Sequence, residues 1–142
     1  MSPAQKIVCL SAEAADWLWR IGAWEQVAGV TAFFKQPAEA APKPSVSGFS
    51  TANLNQIEKL NPDLIIAFSD VQAELVSEMM RRGFAVLATN QRTLSEVEST
   101  LALLACVVGR EQVAERCLRV SRLHRSSESQ HGAAAGILRG VE

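Results

Sequence analysis

Two hydrophobic rhythms alternate along this chain. Unbroken apolar runs fall at residues 7–10 (Ile-Val-Cys-Leu), 27–31 (Val-Ala-Gly-Val-Thr), 64–68 (Leu-Ile-Ile-Ala-Phe) and 84–88 (Phe-Ala-Val-Leu-Ala). Runs without alternation mark strands covered on both faces. Between them, apolar residues recur every three or four positions, the spacing of a helix. A helix is expected over 12–21, capped by Ser11 and stopped at Gly22. A second, over 53–60, ends before Asn61-Pro62, because the residue before a proline avoids helical backbone. A third covers 71–82 with Val71, Leu75, Val76, Met79 and Met80 in helical register.

Thr93 and Glu96 have the spacing of a capping box. The helix they start carries Val97, Leu101, Leu104 and Val108 as far as Gly109. A last helix, 110–123, shows Val113, Cys117 and Val120 on one face. Residues 35–47 hold Pro37, Pro42 and Pro44 and read as an irregular loop. The order predicts an α/β fold: a doubly wound, mostly parallel sheet of four strands with helices on both faces. Residues 1–5 form an N-terminal extension and 6–123 the folded lobe. From 124 to 142 the chain is Ser, Gly, Ala and charge, and is expected to be a disordered tail.

Composition narrows the function. Of 142 residues, 48% are hydrophobic and 20% charged, as in an ordinary globular domain. The net charge of −1 gives no reason to expect nucleic acid or a polybasic membrane contact. No apolar run reaches the ~20 residues of a membrane span, so membrane insertion is not expected. The run at 7–10 is too short for the core of a secretory signal, about 7–15 residues. The sequence as written is therefore expected to stay in the cytoplasm. Cys9, Cys106 and Cys117 form no CxxC pair and read as small buried hydrophobes, with ligation or reactivity the lesser alternative.

Parallel strands place their C-termini on one edge, where open α/β sheets bind ligands. Candidate chemistry gathers there. Ser11 follows the first strand, as a helix cap that also lies on the ligand edge. Phe33 and Phe34 follow the second; adjacent residues of extended chain point oppositely, so one ring faces the crevice or solvent. Phe49 lies in the turn Ser47-Gly48-Phe49-Ser50-Thr51. Ser69 and Asp70 close the third strand, Asp70 also reading as a helix N-cap, and Asn90 closes the fourth. Trp17 shares a helix face with Ile21 and reads as core, Trp19 as more exposed. The first strand–helix turn has no glycine with which to approach a phosphate. An acidic pair and a lysine for a phosphoacceptor magnesium site are missing. Both histidines, 124 and 131, lie in the tail, beyond reach of a serine and an acid. No enzyme activity, no metal site and no resident cofactor are expected.

Three segments, "PKPSVSGFS" (42–50), "LNPDLIIAFSD" (60–70) and "NQRTLSEVES" (90–99), and the run "KIVCLSAEAADWLWRIGAWEQVAGVT" from Lys6, carry a resemblance. Over about residues 6–123 the chain resembles the N-terminal lobe of class III periplasmic binding proteins. These are the substrate-binding components of ABC importers for vitamin B12 and ferric siderophores, and the closest likeness is to a cobalamin-binding-like subgroup. The resemblance implies a two-lobed, mostly periplasmic protein holding cobalamin or an iron chelate in a cleft, with a long helix joining the lobes. The cleft wall would be Ser11, Glu13, Phe33, Phe34, Gly48, Phe49, Ser50, Ser69, Asp70, Gln72, Asn90 and Arg92. The family's acidic residue that docks on permease arginines falls at Asn55, with Glu58 the nearby carboxylate. The expectation is a substrate-binding protein cut back to its N-terminal lobe, with an open edge that favours self-association. The alternatives are a cytoplasmic interaction or regulatory scaffold, or a non-functional truncated reading frame.

Overall fold

The computed structural model describes residues 2–129, with side chains as far as His124. Its order is β1 (Ile7–Cys9), α1 (Ala12–Arg20), β2 (Val27–Thr31), β3 (Ser45–Ser47), α2 (Leu54–Leu60), β4 (Leu64–Phe68), α3 (Ala73–Arg81), β5 (Val86–Thr89), α4 (Leu94–Val108) and α5 (Glu111–Ser129). The strands form one sheet in the order β3-β2-β1-β4-β5. Every pairing is parallel. Parallel sheet with helices on both sides is the expected class, but there are five strands rather than four. The additional strand, β3, lies inside the stretch read as irregular loop. Pro44 does not break it, because only its carbonyl is required: it accepts from Val30 N at 3.0 Å.

Alternation within the strands divides the interior into two cores. Ile7, Cys9 and Ile66 face one side, where Trp17, Leu18, Ile21, Leu101, Leu104 and Leu118 pack from α1, α4 and α5. Val8, Leu10, Ile65 and Ala67 face the other and meet Ile57 of α2 and Met79 of α3. Trp17 is fully buried and donates Nε1–H to Leu101 O at 2.9 Å, which satisfies its one polar atom. Trp19 is half-buried and stands edge-on to Trp24, 5.7 Å between centroids. In α3, Met80 is exposed although it fits the helical register.

Thr93 and Glu96 close the expected capping box on α4. Gly109 ends that helix at φ +74°, and a Cβ there would come within 3.0 Å of Pro3 Cγ. Arg110 follows, and α5 runs to Ser129, well past the expected end at Leu123. Its core face is Ala114, Leu118 and Ser121; Val113 and Cys117 flank it, and Val120 points outward. Residues 124–129 are thus helical, and the rest of the expected tail, 130–142, lies outside the described residues.

Candidate functional site

The chain leaves β1 in one direction towards β2 and β3, and returns past it to β4 and β5. The loops after β1 and β4 therefore diverge, and a crevice opens at their C-terminal ends, the position where doubly wound sheets bind ligands. A depression of about 390 Å³ lies there.

Each wall follows from local backbone chemistry. Beyond β1, Ser11 Oγ accepts from Ala14 N at 3.3 Å, which starts α1 and leaves Ser11, Ala12 and Glu13 on the rim. Beyond β2, Ala32 N donates to Ser47 O at 2.8 Å, and Thr31 Oγ1 accepts from Phe33 N at 3.3 Å. The chain turns there, and Phe33 projects outward. Beyond β3, Gly48 N donates to Thr51 O at 2.9 Å; this tight loop presents Phe49, and a Cβ on Gly48 would meet Thr51 Oγ1 at 3.1 Å. Phe33 and Phe49 stand edge-to-face, 6.1 Å apart at 87°. Both are largely exposed, at 65 and 64%.

Ser69 closes β4 with φ +68° and ψ 165°, a region populated almost only by glycine. It is held there by three bonds. Ser69 N donates to Thr89 O at 2.7 Å, Gln72 N donates to Ser69 O at 3.2 Å, and Ser69 Oγ accepts from Val71 N at 3.3 Å. Gln72, 5% exposed, joins three loops: Nε2 donates to Leu10 O at 3.2 Å and to Phe49 O at 2.9 Å, while Oε1 accepts from Phe68 N at 2.9 Å.

Seven of the expected wall residues meet in this crevice: Ser11, Glu13, Phe33, Gly48, Phe49, Ser69 and Gln72. Gln72 does so as a brace, its side-chain polar atoms already bonded to backbone. Five lie elsewhere. Phe34 turns inward, its ring 5.8 Å from that of Trp24, and packs against the α1 core. Ser50 is exposed beyond the rim. Asn90 lines a separate depression between β5 and α4. Asp70 caps nothing, since Ser69 takes that role; its carboxylate faces Arg92 at 3.5 Å on the exposed flank. Leu10, Ala12, Thr31, Phe68 and Val71 line the crevice as well and were not expected there; Leu10, Thr31 and Phe68 carry no signal beyond lying at a strand end, and Ala12 and Val71 read only as helix positions. Of the two docking positions, Asn55 is exposed, and Glu58 accepts from Arg82 Nη1 at 3.0 Å.

The chemistry of the crevice is apolar and aromatic with a hydroxyl fringe. Among the described residues no three His, Cys, Asp or Glu side chains gather to hold a metal. Cys9 is fully buried in the core beneath α1, and burial pushes its thiol up to about 12, so it stays neutral. Cys106 is exposed and Cys117 half-buried, unlike the uniformly buried thiols expected.

A family model described as periplasmic binding protein matches residues 7–120. The chain belongs to that family. A vitamin B12-binding protein of Pectobacterium carotovorum is 26% identical over 139 residues, which cover 94% of this chain and 50% of the relative. The solved periplasmic vitamin B12 binding protein BtuF of Vibrio cholerae superposes with a TM-score of 0.74 at 22% identity, over 89% of this chain and 53% of that one. The molybdate periplasmic binding protein MolA of Haemophilus influenzae reaches 0.82 at 14% identity, over 92% and 49%. The chain spans about half the length of the curated relatives it matches. The periplasmic binding protein family comprises binding proteins rather than enzymes. Its name places it in the periplasm, so the cytoplasmic retention expected from the first residues has no support from the relatives. Among the described residues no helix is long and apolar enough to cross a membrane.

Proposed function

We propose that the strand-end crevice is one wall of a binding site for a large metal chelate, cobalamin or an iron chelate, in the substrate-binding component of an ABC importer. The observation that carries this is the Phe33–Phe49 pair. Two rings standing free at right angles over an apolar floor offer stacking area and no charge-paired anchor. Such a wall suits a ligand with broad apolar faces. It suits a small oxyanion badly, because among the described residues no Lys or Arg lines the crevice, and Arg92 on its flank is turned towards Asp70. The names of the vitamin B12-binding relatives agree with this choice.

Ligand pockets usually bury about 70–90% of a ligand's surface, and a single open wall covers far less. Affinity of this chain alone is therefore expected to be no better than about micromolar. Isothermal titration with cyanocobalamin and with a ferric siderophore tests the reading. Heat of binding that disappears in the Phe33→Ala, Phe49→Ala double variant supports it; full binding by that variant, or no binding of either ligand to the folded chain, overturns it.

The chain is expected to engage an importer's permease by a contact other than a free α2 carboxylate. Asn55 carries no charge, and Glu58 is paired with Arg82.

A further inference from the structure

Because every strand runs in the same direction, the N-terminal strand ends share the edge opposite the crevice. A recess of about 820 Å³ opens there, between the C-terminal ends of α1 and α4 and the entry to β2. Its walls are held in place. Gln26 Nε2 donates to Ala4 O at 2.7 Å and to Val108 O at 3.3 Å, and Ala4 N donates to Val107 O at 3.0 Å. α1 gives way to Gly22 at φ +81°, and a Cβ there would lie 3.9 Å from Arg110 Nη1, so the guanidinium lies against this turn. Trp24 is fixed by Nε1–H, which donates to Ala41 O at 2.8 Å, and it backs Trp19 edge-on.

Three side chains that line the recess carry polar groups with no use in the described fold. Glu25 and Arg110 are exposed, and among the described residues neither side chain has a hydrogen-bond or ion-pair partner. They are opposite in sign and share one recess, yet do not pair with each other. Elsewhere such charges do pair, as Glu58 does with Arg82 and Glu98 with Arg122. Trp19 is half-buried, and its Nε1–H has no acceptor among the described residues, whereas Trp17 and Trp24 both have one. An indole N–H taken out of water ordinarily finds a partner.

We propose that this recess is a second ligand site, separate from the crevice, for a small zwitterion: an amino acid or short peptide with free termini and an apolar side chain. Arg110 meets the carboxylate, Glu25 meets the ammonium, and the Trp19 ring receives the side chain, with its N–H as a further donor. Charge-assisted hydrogen bonds of this kind are the strong ones. A simple anion or cation would engage only one of the two charged groups. A purely apolar ligand would bury both unpaired, at a cost. The recess falls within the ~300–1,000 Å³ of ordinary ligand sites. For so small a ligand in an open recess, affinity of about millimolar is expected.

Indole N–H signals in proton–nitrogen correlation spectra of the 142-residue chain test this, with Trp19→Phe identifying the Trp19 signal. L-leucine and L-leucyl-L-leucine are the zwitterionic probes; N-acetyl-L-leucine lacks the ammonium and L-leucinamide the carboxylate. At least one zwitterion should shift the Trp19 signal and leave that of buried Trp17 in place, with both blocked compounds at least tenfold weaker. The stronger of the two probes tells an amino acid from a peptide. Arg110→Gln should weaken the zwitterion at least tenfold and erase its advantage over L-leucinamide; Glu25→Gln should erase its advantage over N-acetyl-L-leucine. No shift with either zwitterion, or equal binding of the blocked compounds, overturns the proposal. The Phe33→Ala, Phe49→Ala double variant should bind the zwitterion as the parent does. If it loses that binding, the zwitterion occupies the crevice and the recess is not the site.

Discussion

Gln72 holds Phe49 in place from the opposite side of the crevice: its Nε2 donates to the Phe49 carbonyl at 2.9 Å. The same amide group bonds Leu10 O and Phe68 N, so one buried side chain sets the spacing of the loops after β1, β3 and β4. Gln72→Leu leaves those three backbone groups unpaired. Leaving a buried polar group unsatisfied costs about 1–3 kcal/mol. With the Phe49 loop partly open to water, a total loss of about 2–4 kcal/mol in urea unfolding is expected. A loss under about 0.5 kcal/mol would show that the brace is dispensable.

Ser69 offers the opposite sign. A non-glycine residue in its backbone region costs on the order of 1–3 kcal/mol. Ser69→Gly relieves that strain and gives up one long hydrogen bond on the surface. The variant should be about 1 kcal/mol more stable than the parent. Ser69→Ala, which keeps the strain and loses the bond, should be less stable. Equal midpoints for all three chains would remove the strain argument.

The two adjacent phenylalanines should separate cleanly in experiment. Phe33→Ala is expected to weaken chelate binding at least tenfold with little change in stability. Phe34→Ala should leave binding intact and cost about 1–3 kcal/mol, less than the ~3–5 kcal/mol of a fully buried aromatic, because Phe34 is only partly buried against Trp24. Titration and denaturation of the pair decide it. Reversed outcomes would mean that Phe34 is the ring facing the ligand.

Thiol chemistry should follow burial. Cys106 is exposed and is expected to react first with Ellman's reagent, while Cys9 waits for unfolding. The Cys9 thiol lies above its ordinary 9.0, at about 12. The sign follows from the folded state holding its proton more tightly than the unfolded one. The contribution is complete below pH 9 and is lost as pH rises towards 12, where the unfolded chain alone can ionise. Cys9→Ala should flatten that alkaline limb of the stability profile. An identical limb in the variant would assign it to other groups.

Much of the fold was legible because its signals are local and redundant. Unbroken apolar runs, helical spacing and the Thr93–Glu96 box each fixed an element. β3 was hidden because three residues directly after a proline carry no period, and its pairing with β2 is a long-range fact. The extension of α5 past Leu123 was hidden by Arg and Ser residues that suit an exposed helix as well as a coil. At the crevice, the strand-end edge was legible and individual roles were not. Extended geometry required one of Phe33 and Phe34 to face out, and only packing against Trp24 decided which. Gln72 looked like a ligand-bonding amide because the sequence cannot show that its partners are carbonyls of distant loops. Asp70 lost its capping role to Ser69, a competition that backbone geometry settles one residue earlier.

The wholly parallel pairing also governs how the chain must assemble. β1 lies between β2 and β4, with Ile7 opposite Val27 on one side and Leu64 on the other. No two strands among the described residues form a hairpin that could zip up early. β1, synthesised before both of its neighbours, therefore waits for β4 before its second edge is covered. Closing such long loops is slow, and partly assembled chains with an open central strand are prone to aggregate. Expression at low temperature, which slows synthesis and weakens hydrophobic association, should raise the soluble yield of this chain.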